Sequence, residues 1–138
     1  LSEKFENLRG LKVCVLGLSF KAGTDDIRES SSINLINQLS NSEVVINTYD
    51  PVSINNSKKI LPDSINFFDD PYHAINGVQA TIIMTEWNEF QNLDWKKVYK
   101  SMENPKIIFD GKNFLNQKLI QDLGFEYFAV GRKIKSKK

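Results

Sequence analysis

The residues with the most chemistry in them stand close together early in the chain: Lys21 and Arg28, with the hydroxyls of Ser19, Thr24, Ser30, Ser31 and Ser32 around them. The stretch from Gly17 to Ser32 follows an apolar run, Leu11-Lys12-Val13-Cys14-Val15-Leu16, and leads into a segment of helical periodicity. A buried strand therefore hands over to a helix here, and open α/β sheets bind ligands beyond the carboxyl ends of their strands. Cations, the glycines Gly17 and Gly23, and free backbone N–H groups near a helix N-terminus are the ingredients of a phosphate site. Two known glycine patterns do not fit. The dinucleotide pattern G-x-G-x-x-G fails because Ser19 stands at its second glycine, and the P-loop fails because no Gly-Lys-Ser/Thr follows Gly17 at the required spacing. On residues alone, a phosphate or nucleotide site and a solvated surface loop both stay open.

Further polar residues fall at the ends of other apolar runs. Lys106-Ile107-Ile108-Phe109 ends in Asp110-Gly111-Lys112-Asn113, a second turn bearing a cation. Asp50 closes the run Glu43–Tyr49, where dinucleotide folds place an acid for the adenosine ribose. It lies 33 residues after Gly17, against roughly 20 in that fingerprint, and Asp50-Pro51 is a good turn starter, so the turn is preferred. Glu86 ends Gln79–Thr85 and could face a ligand; capping a helix or pairing with a cation is the commoner use. Trp87 and Phe90 read as core anchors. Cys14, the only cysteine, sits in the middle of a strand between valines and reads as a small hydrophobe, with no disulfide and no cysteine-based metal site open to it. His73 has no second ligand nearby and reads as a surface residue.

The elements that must position these groups can be taken in order. Residues 1–10 suit an amphipathic turn or two of helix, and a start without Met leads us to expect a piece of a longer protein. Leu11–Leu16 is nearly all apolar, so the strand is expected to be central and covered on both faces. Ile33, Leu35, Ile36 and Leu39 predict a helix to about Ser40, capped by Ser30, Ser31 or Ser32. Shorter pieces follow: a helix over 54–61, a strand over 65–68 and a helix over 71–77. Asp94–Met102 predicts a helix with Trp95 and Val98 inward; Leu115, Leu119, Ile120 and Leu123 predict another, stopped by Gly124; Phe125–Val130 predicts the last strand. Alternation at this spacing calls for a mostly parallel sheet with helices on both faces, an α/β fold of three layers. Right-handed crossovers then bring Lys21, Arg28 and Lys112 to one edge of the sheet.

Bulk properties narrow the class. At 138 residues the chain is one domain, and 41% hydrophobic and 25% charged residues are globular values. Lys and Arg total 18 against 17 Asp and Glu, so no basic field exists to hold nucleic acid or anionic lipid. No apolar segment approaches the roughly 18 residues of a spanning helix, and the first residues lack a signal-peptide layout, so a cytoplasmic protein is expected, with neither nucleic acid nor membrane as partner.

Val15-Leu16-Gly17-Leu18-Ser19-Phe20-Lys21, continued by Thr24-Asp25-Asp26-Ile27-Arg28-Glu29-Ser30, resembles the C-terminal domain of the UDP-glucose/GDP-mannose dehydrogenase family. Tyr49-Asp50-Pro51, Thr85-Glu86-Trp87 with Phe90, Phe109-Asp110-Gly111-Lys112-Asn113, and Gly124-Phe125 with Gly131-Arg132 resemble the same domain in register, over residues 9–132. The resemblance implies a Rossmann-like three-layer α/β/α domain over 11–132, with 1–10 as the end of a preceding linker or helix and 133–138 as a basic tail. It implies an oxidoreductase that takes the primary alcohol of a nucleotide sugar to the uronic acid in two NAD-dependent steps. An N-terminal NAD-binding domain and a central domain with the catalytic Cys would lie outside this chain, which alone is expected to be inactive and supplies no catalytic residue. Phe20 and Lys21 resemble the pair that meets the UDP-sugar, and Arg28 the arginine that reaches NAD. Lys112 stands where the family commonly has a substrate-binding arginine, and it offers a point charge in place of a bidentate fork. Glu29-Ser30-Ser31-Ser32-Ile33 is closer to members acting on UDP-glucose; UDP-N-acetylmannosamine and GDP-mannose enzymes, and a stand-alone nucleotide-binding or interaction module, are the alternatives. Family dimers form mainly through the central domain, so full-length members are homo-oligomers. This chain is accordingly predicted to be a monomer, sedimenting at 15.8 kDa; a mass of twice that value would contradict it.

Overall fold

A strand buried on both faces must be apolar wherever it is covered, and β1 (Lys12–Leu16) meets that condition after its exposed first residue, with Val13, Cys14, Val15 and Leu16 all fully buried. The computed structural model describes residues 11–18, 31–40 and 44–129. Around β1 lie β2 (Val45–Tyr49), β3 (Asn66–Phe67), β4 (Ala80–Ile83), β5 (Ile107–Asp110) and β6 (Glu126–Ala129), in the order β3-β2-β1-β4-β5-β6. Every pairing among them is parallel, so the expected mostly parallel sheet is parallel throughout. The register sets Val13 between Ile46 and Ala80, and Leu16 between Tyr49 and Ile83.

Alternate residues of β1 feed two cores. Val13 and Val15 join Ile33, Ile36 and Leu39 of α1 (Ser31–Ser40), whose spacing lays one apolar stripe on the sheet. Cys14 and Leu16 face the opposite layer, with Ala74 and Ile75 of α3 (Pro71–Ile75), Trp95 and Val98 of α5 (Trp95–Ser101), and Ile120 of α6 (Gln117–Leu123). Two single-turn helices, α2 (Ile54–Lys58) and α4 (Asn88–Gln91), complete the set among the described residues. The start signals work as side-chain acceptors: Asp70 takes the N–H of His73 at 3.0 Å, Asp94 that of Lys97 at 3.2 Å, and Asn116 that of Leu119 at 3.1 Å. Phe90 is fully buried, and Trp87 packs half-buried against the same core, as anchors should.

Some boundaries differ from the expected ones. α2 stops at Lys58, short of Leu61, because the Ser57 carbonyl accepts from both Ile60 and Leu61 and the chain turns off the helix. Leu119 is 45% exposed, whereas Leu115, which precedes α6, is buried. The cap at Asn116 starts the helix at Gln117, so Leu115 lies before it and the apolar stripe of the helix is carried by Ile120 and Leu123. Residues 1–10, 19–30, 41–43 and 130–138, with the expected N-terminal helix turn and basic tail, lie outside the described residues.

Ile108 is fully buried at the middle of β5, between Thr81 and Tyr127. Ile108→Ala is expected to cost about 2–5 kcal/mol, read from the shift in urea midpoint. A loss below about 1 kcal/mol would contradict a closely packed core at this strand.

Candidate functional site

The strand order determines where a ligand can sit. Successive crossovers run from β1 outward to β3 on one side and from β4 outward to β6 on the other, so they diverge between β1 and β4. A crevice opens beyond the carboxyl ends of strands at such a point. Gly17 and Leu18 reach that edge from β1, Thr85 and Glu86 from β4, and Gly111 and Lys112 from β5.

The exit of β1 is held on both sides. Gly17 N–H donates to the Tyr49 carbonyl at 2.9 Å, and the Leu16 carbonyl accepts from Met84 N–H at 2.9 Å. Gly17 has φ +99°, and a Cβ there would lie 2.4 Å from Thr85 Oγ1 and 2.8 Å from the Thr85 nitrogen. Only glycine fits, for both backbone and space.

Two buried aspartates build the turns on either side. Asp50, 2% exposed, accepts Leu18 N–H at 2.7 Å on Oδ2 and the N–H groups of Val52 and Ser53, each at 2.8 Å, on Oδ1. The preferred turn reading of Asp50 therefore holds: both carboxylate oxygens are engaged by backbone. Asp110, fully buried, accepts from Lys112 N–H at 3.1 Å and Asn113 N–H at 2.6 Å on Oδ1. Its Oδ2 accepts from Leu115 N–H at 2.7 Å and the Tyr127 hydroxyl at 2.9 Å. Gly111 is drawn against β4 by its N–H to the Ile83 carbonyl at 2.7 Å, with a hypothetical Cβ only 2.6 Å from that same oxygen. The result is a rigid turn that presents Lys112 at the sheet edge with its side chain exposed.

Of the residues singled out by sequence, Lys112 is at this edge, and Phe20, Lys21 and Arg28 lie outside the described residues. Glu86 is exposed at the same edge; the position that caps α4 is Trp87, so Glu86 is not a helix cap. Cys14 has its thiol pushed well up by burial, which suits a core residue and not a nucleophile. Tyr49 is likewise raised, first by burial and then by its hydroxyl's bonds to the Glu89 carboxylate at 2.9 and 3.0 Å. His73 is exposed beside Asp70. Among the described residues no cluster of three His, Cys, Asp or Glu could hold a metal. No helix among them is long and apolar enough to cross a membrane. Sequence reasoning missed the close approach of Thr85 to Gly17, which nothing local marks, and the scaffold role of Asp110. The latter had a signal: an Asp at a strand end followed by a turn residue, as at Asp50-Pro51.

Residues 14–117 match the UDP binding domain of the UDP-glucose/GDP-mannose dehydrogenase family. The chain belongs to this family. The UDP-glucose 6-dehydrogenase of Rickettsia typhi is 39% identical over 129 residues, covering 93% of this chain and 30% of the relative. That of Caenorhabditis elegans is 33% identical over 141 residues, covering 95% and 29%. Among solved structures, a UDP-glucose dehydrogenase from the hyperthermophilic archaeon Pyrobaculum islandicum superposes with TM-score 0.73 at 29% identity, covering 93% of this chain and 27% of that one. A UDP-D-ManNAc dehydrogenase from Pyrococcus horikoshii gives 0.71 at 30%, covering 91% and 26%. The chain thus spans about 30% of the curated relatives it matches, the extent of one domain of an oxidoreductase.

Gly17→Ala is expected to lower stability by about 2–4 kcal/mol, from left-handed strain together with the overlap on Thr85. A urea midpoint within error of the parent would refute the close approach of β1 and β4 at this point.

Proposed function

We propose that this chain is the nucleotide-sugar-binding C-terminal domain of an NAD-dependent UDP-glucose 6-dehydrogenase, which oxidises UDP-glucose to UDP-glucuronate in two steps. The observation that carries this reading is the match of residues 14–117 to the family's UDP binding domain. The domain proper would be 11–132, flanked by the end of a preceding linker or helix at 1–10 and a basic tail at 133–138. Its partners are the NAD-binding and central domains of the same enzyme, cytoplasmic and homo-oligomeric at full length.

In this reading Phe20, Lys21 and Lys112 contact the UDP-sugar and Arg28 reaches the NAD. The cations offset the pyrophosphate charge, and binding energy from the UDP end orients the distant reacting carbon. The described residues do not suit a dinucleotide site of their own. Asp50, at the position of a ribose-binding acid, has both oxygens engaged by backbone, and Gly17 lacks the further glycines of the fingerprint. NAD is therefore assigned mainly to the N-terminal domain, and the chain alone is expected not to turn over substrate.

A second reading, a UDP-N-acetylmannosamine dehydrogenase, is supported by the Pyrococcus horikoshii neighbour, whose TM-score of 0.71 is close to the 0.73 of the UDP-glucose enzyme. Calorimetric titration of the chain with UDP, UDP-glucose and GDP at two salt concentrations tests the shared part of both readings. UDP and UDP-glucose are expected to bind selectively over GDP, and more weakly at high salt. Lys21→Ala is expected to weaken UDP by about 1.5–3 kcal/mol, the range for a hydrogen bond to a charged group. An unchanged dissociation constant would remove Lys21 from the site, and GDP binding as tight as UDP would overturn the uridine assignment.

A further inference from the structure

The exposed Lys112 owes its place to groups that lie beneath it. Its N–H and that of Asn113 converge on Asp110 Oδ1, at 3.1 and 2.6 Å, while Asn113 takes a left-handed φ of 63° to bring the chain round. The other oxygen is held by Leu115 N–H at 2.7 Å and by the Tyr127 hydroxyl at 2.9 Å. Tyr127 comes from the neighbouring strand β6, where it pairs with Ile108 and is only 2% exposed. Asp110 is itself fully buried, so a donor lost from its carboxylate is not replaced by bulk water, and the carboxylate must tilt or rotate toward the donors that remain. A tilt at Asp110 moves the Lys112 backbone directly, because the turn from Gly111 to Asn113 hangs on the same two oxygens.

We propose that Asp110 and Tyr127 are positioning residues that set Lys112 for the pyrophosphate of the ligand, so that Tyr127, buried away from the ligand, tunes affinity through the turn. This rests on the reading of Lys112 as a substrate contact. Asp110 supplies the acceptor that shapes the turn, and Tyr127 fixes the acceptor's orientation from β6. The device places a flexible side chain at the end of a backbone that has little freedom, which lowers the ordering cost when the ligand binds.

The test is a double-mutant cycle on the 138-residue chain, with Tyr127→Phe and Lys112→Ala made singly and together and UDP affinity read by calorimetry. Tyr127→Phe keeps the ring and removes only the hydroxyl. It is expected to weaken UDP binding about three- to tenfold beside Lys112, and to have no further effect once Lys112 is Ala. The same factor in both backgrounds would show a merely structural role and overturn the proposal, as would no effect in either. Asp110→Asn, run through the same cycle, serves if Tyr127→Phe does not fold, with the same pattern expected and the same pattern fatal. UDP binding that Lys21→Ala weakens, with no coupling between position 127 and Lys112, leaves the proposed function standing and sinks this inference alone. Failure of every variant and of the parent to bind UDP overturns both.

Discussion

The approach of Gly17 to Thr85 is the constraint on which the ligand edge depends. β1 is buried on both faces and paired on both sides, so its chain leaves the sheet only at the end. There it passes between a hydrogen bond to Tyr49 on one side and the Thr85 side chain on the other, with no room for a Cβ. The direction in which residue 18 leaves is thereby set by backbone and packing, together with the Leu18 N–H held by the Asp50 carboxylate. Strands β1 and β4 are the pair between which the crossovers diverge, so this same contact defines one wall of the crevice. A looser approach would widen the crevice between β1 and β4.

The strands flanking this central pair use one device twice. β2 and β5 lie symmetrically about β1 and β4, and each ends in a buried aspartate that gathers backbone N–H groups. Asp50 takes Leu18, Val52 and Ser53; Asp110 takes Lys112, Asn113 and Leu115, with the Tyr127 hydroxyl besides. A buried carboxylate without partners costs several kcal/mol, so each aspartate is stable only with its turn closed around it. Neither oxygen pair is left over for acid–base work or for a ribose.

How much of this could be read from sequence depends on whether the signal is local. β1 was legible because burial on both faces demands an unbroken apolar run, and α1 because Ile33, Ile36 and Leu39 repeat at helical spacing. The helix through Leu119, Ile120 and Leu123 to Gly124 was legible as well, but its start was not, because Leu115 looks like part of the same repeat until Asn116 caps the helix. Asp50 was readable as a turn from its proline. The strand order, the contact of Gly17 with Thr85 and the bond from Tyr127 to Asp110 join residues 17 or more positions apart, and no spacing rule reaches them. Lys112 was placed at the edge because a cation just beyond a buried strand has nowhere else to go, whereas the roles given to Phe20, Lys21 and Arg28 came from resemblance.

The order β3-β2-β1-β4-β5-β6 is the one used by dinucleotide-binding domains, yet the sequence after β1 lacks their glycine pattern. In those domains the second glycine lets backbone approach a pyrophosphate directly, and the helix N-terminus supplies most of the charge compensation. In the sequence Ser19 stands at the position of that second glycine. In the proposed reading, charge compensation falls to side chains, which reach further than backbone N–H groups. The proposed sharing of the nucleotide with another domain agrees with this, because a side chain can hold phosphates that stand off the sheet. Lysine serves such an arrangement better than backbone does, at the cost of stronger dependence on ionic strength.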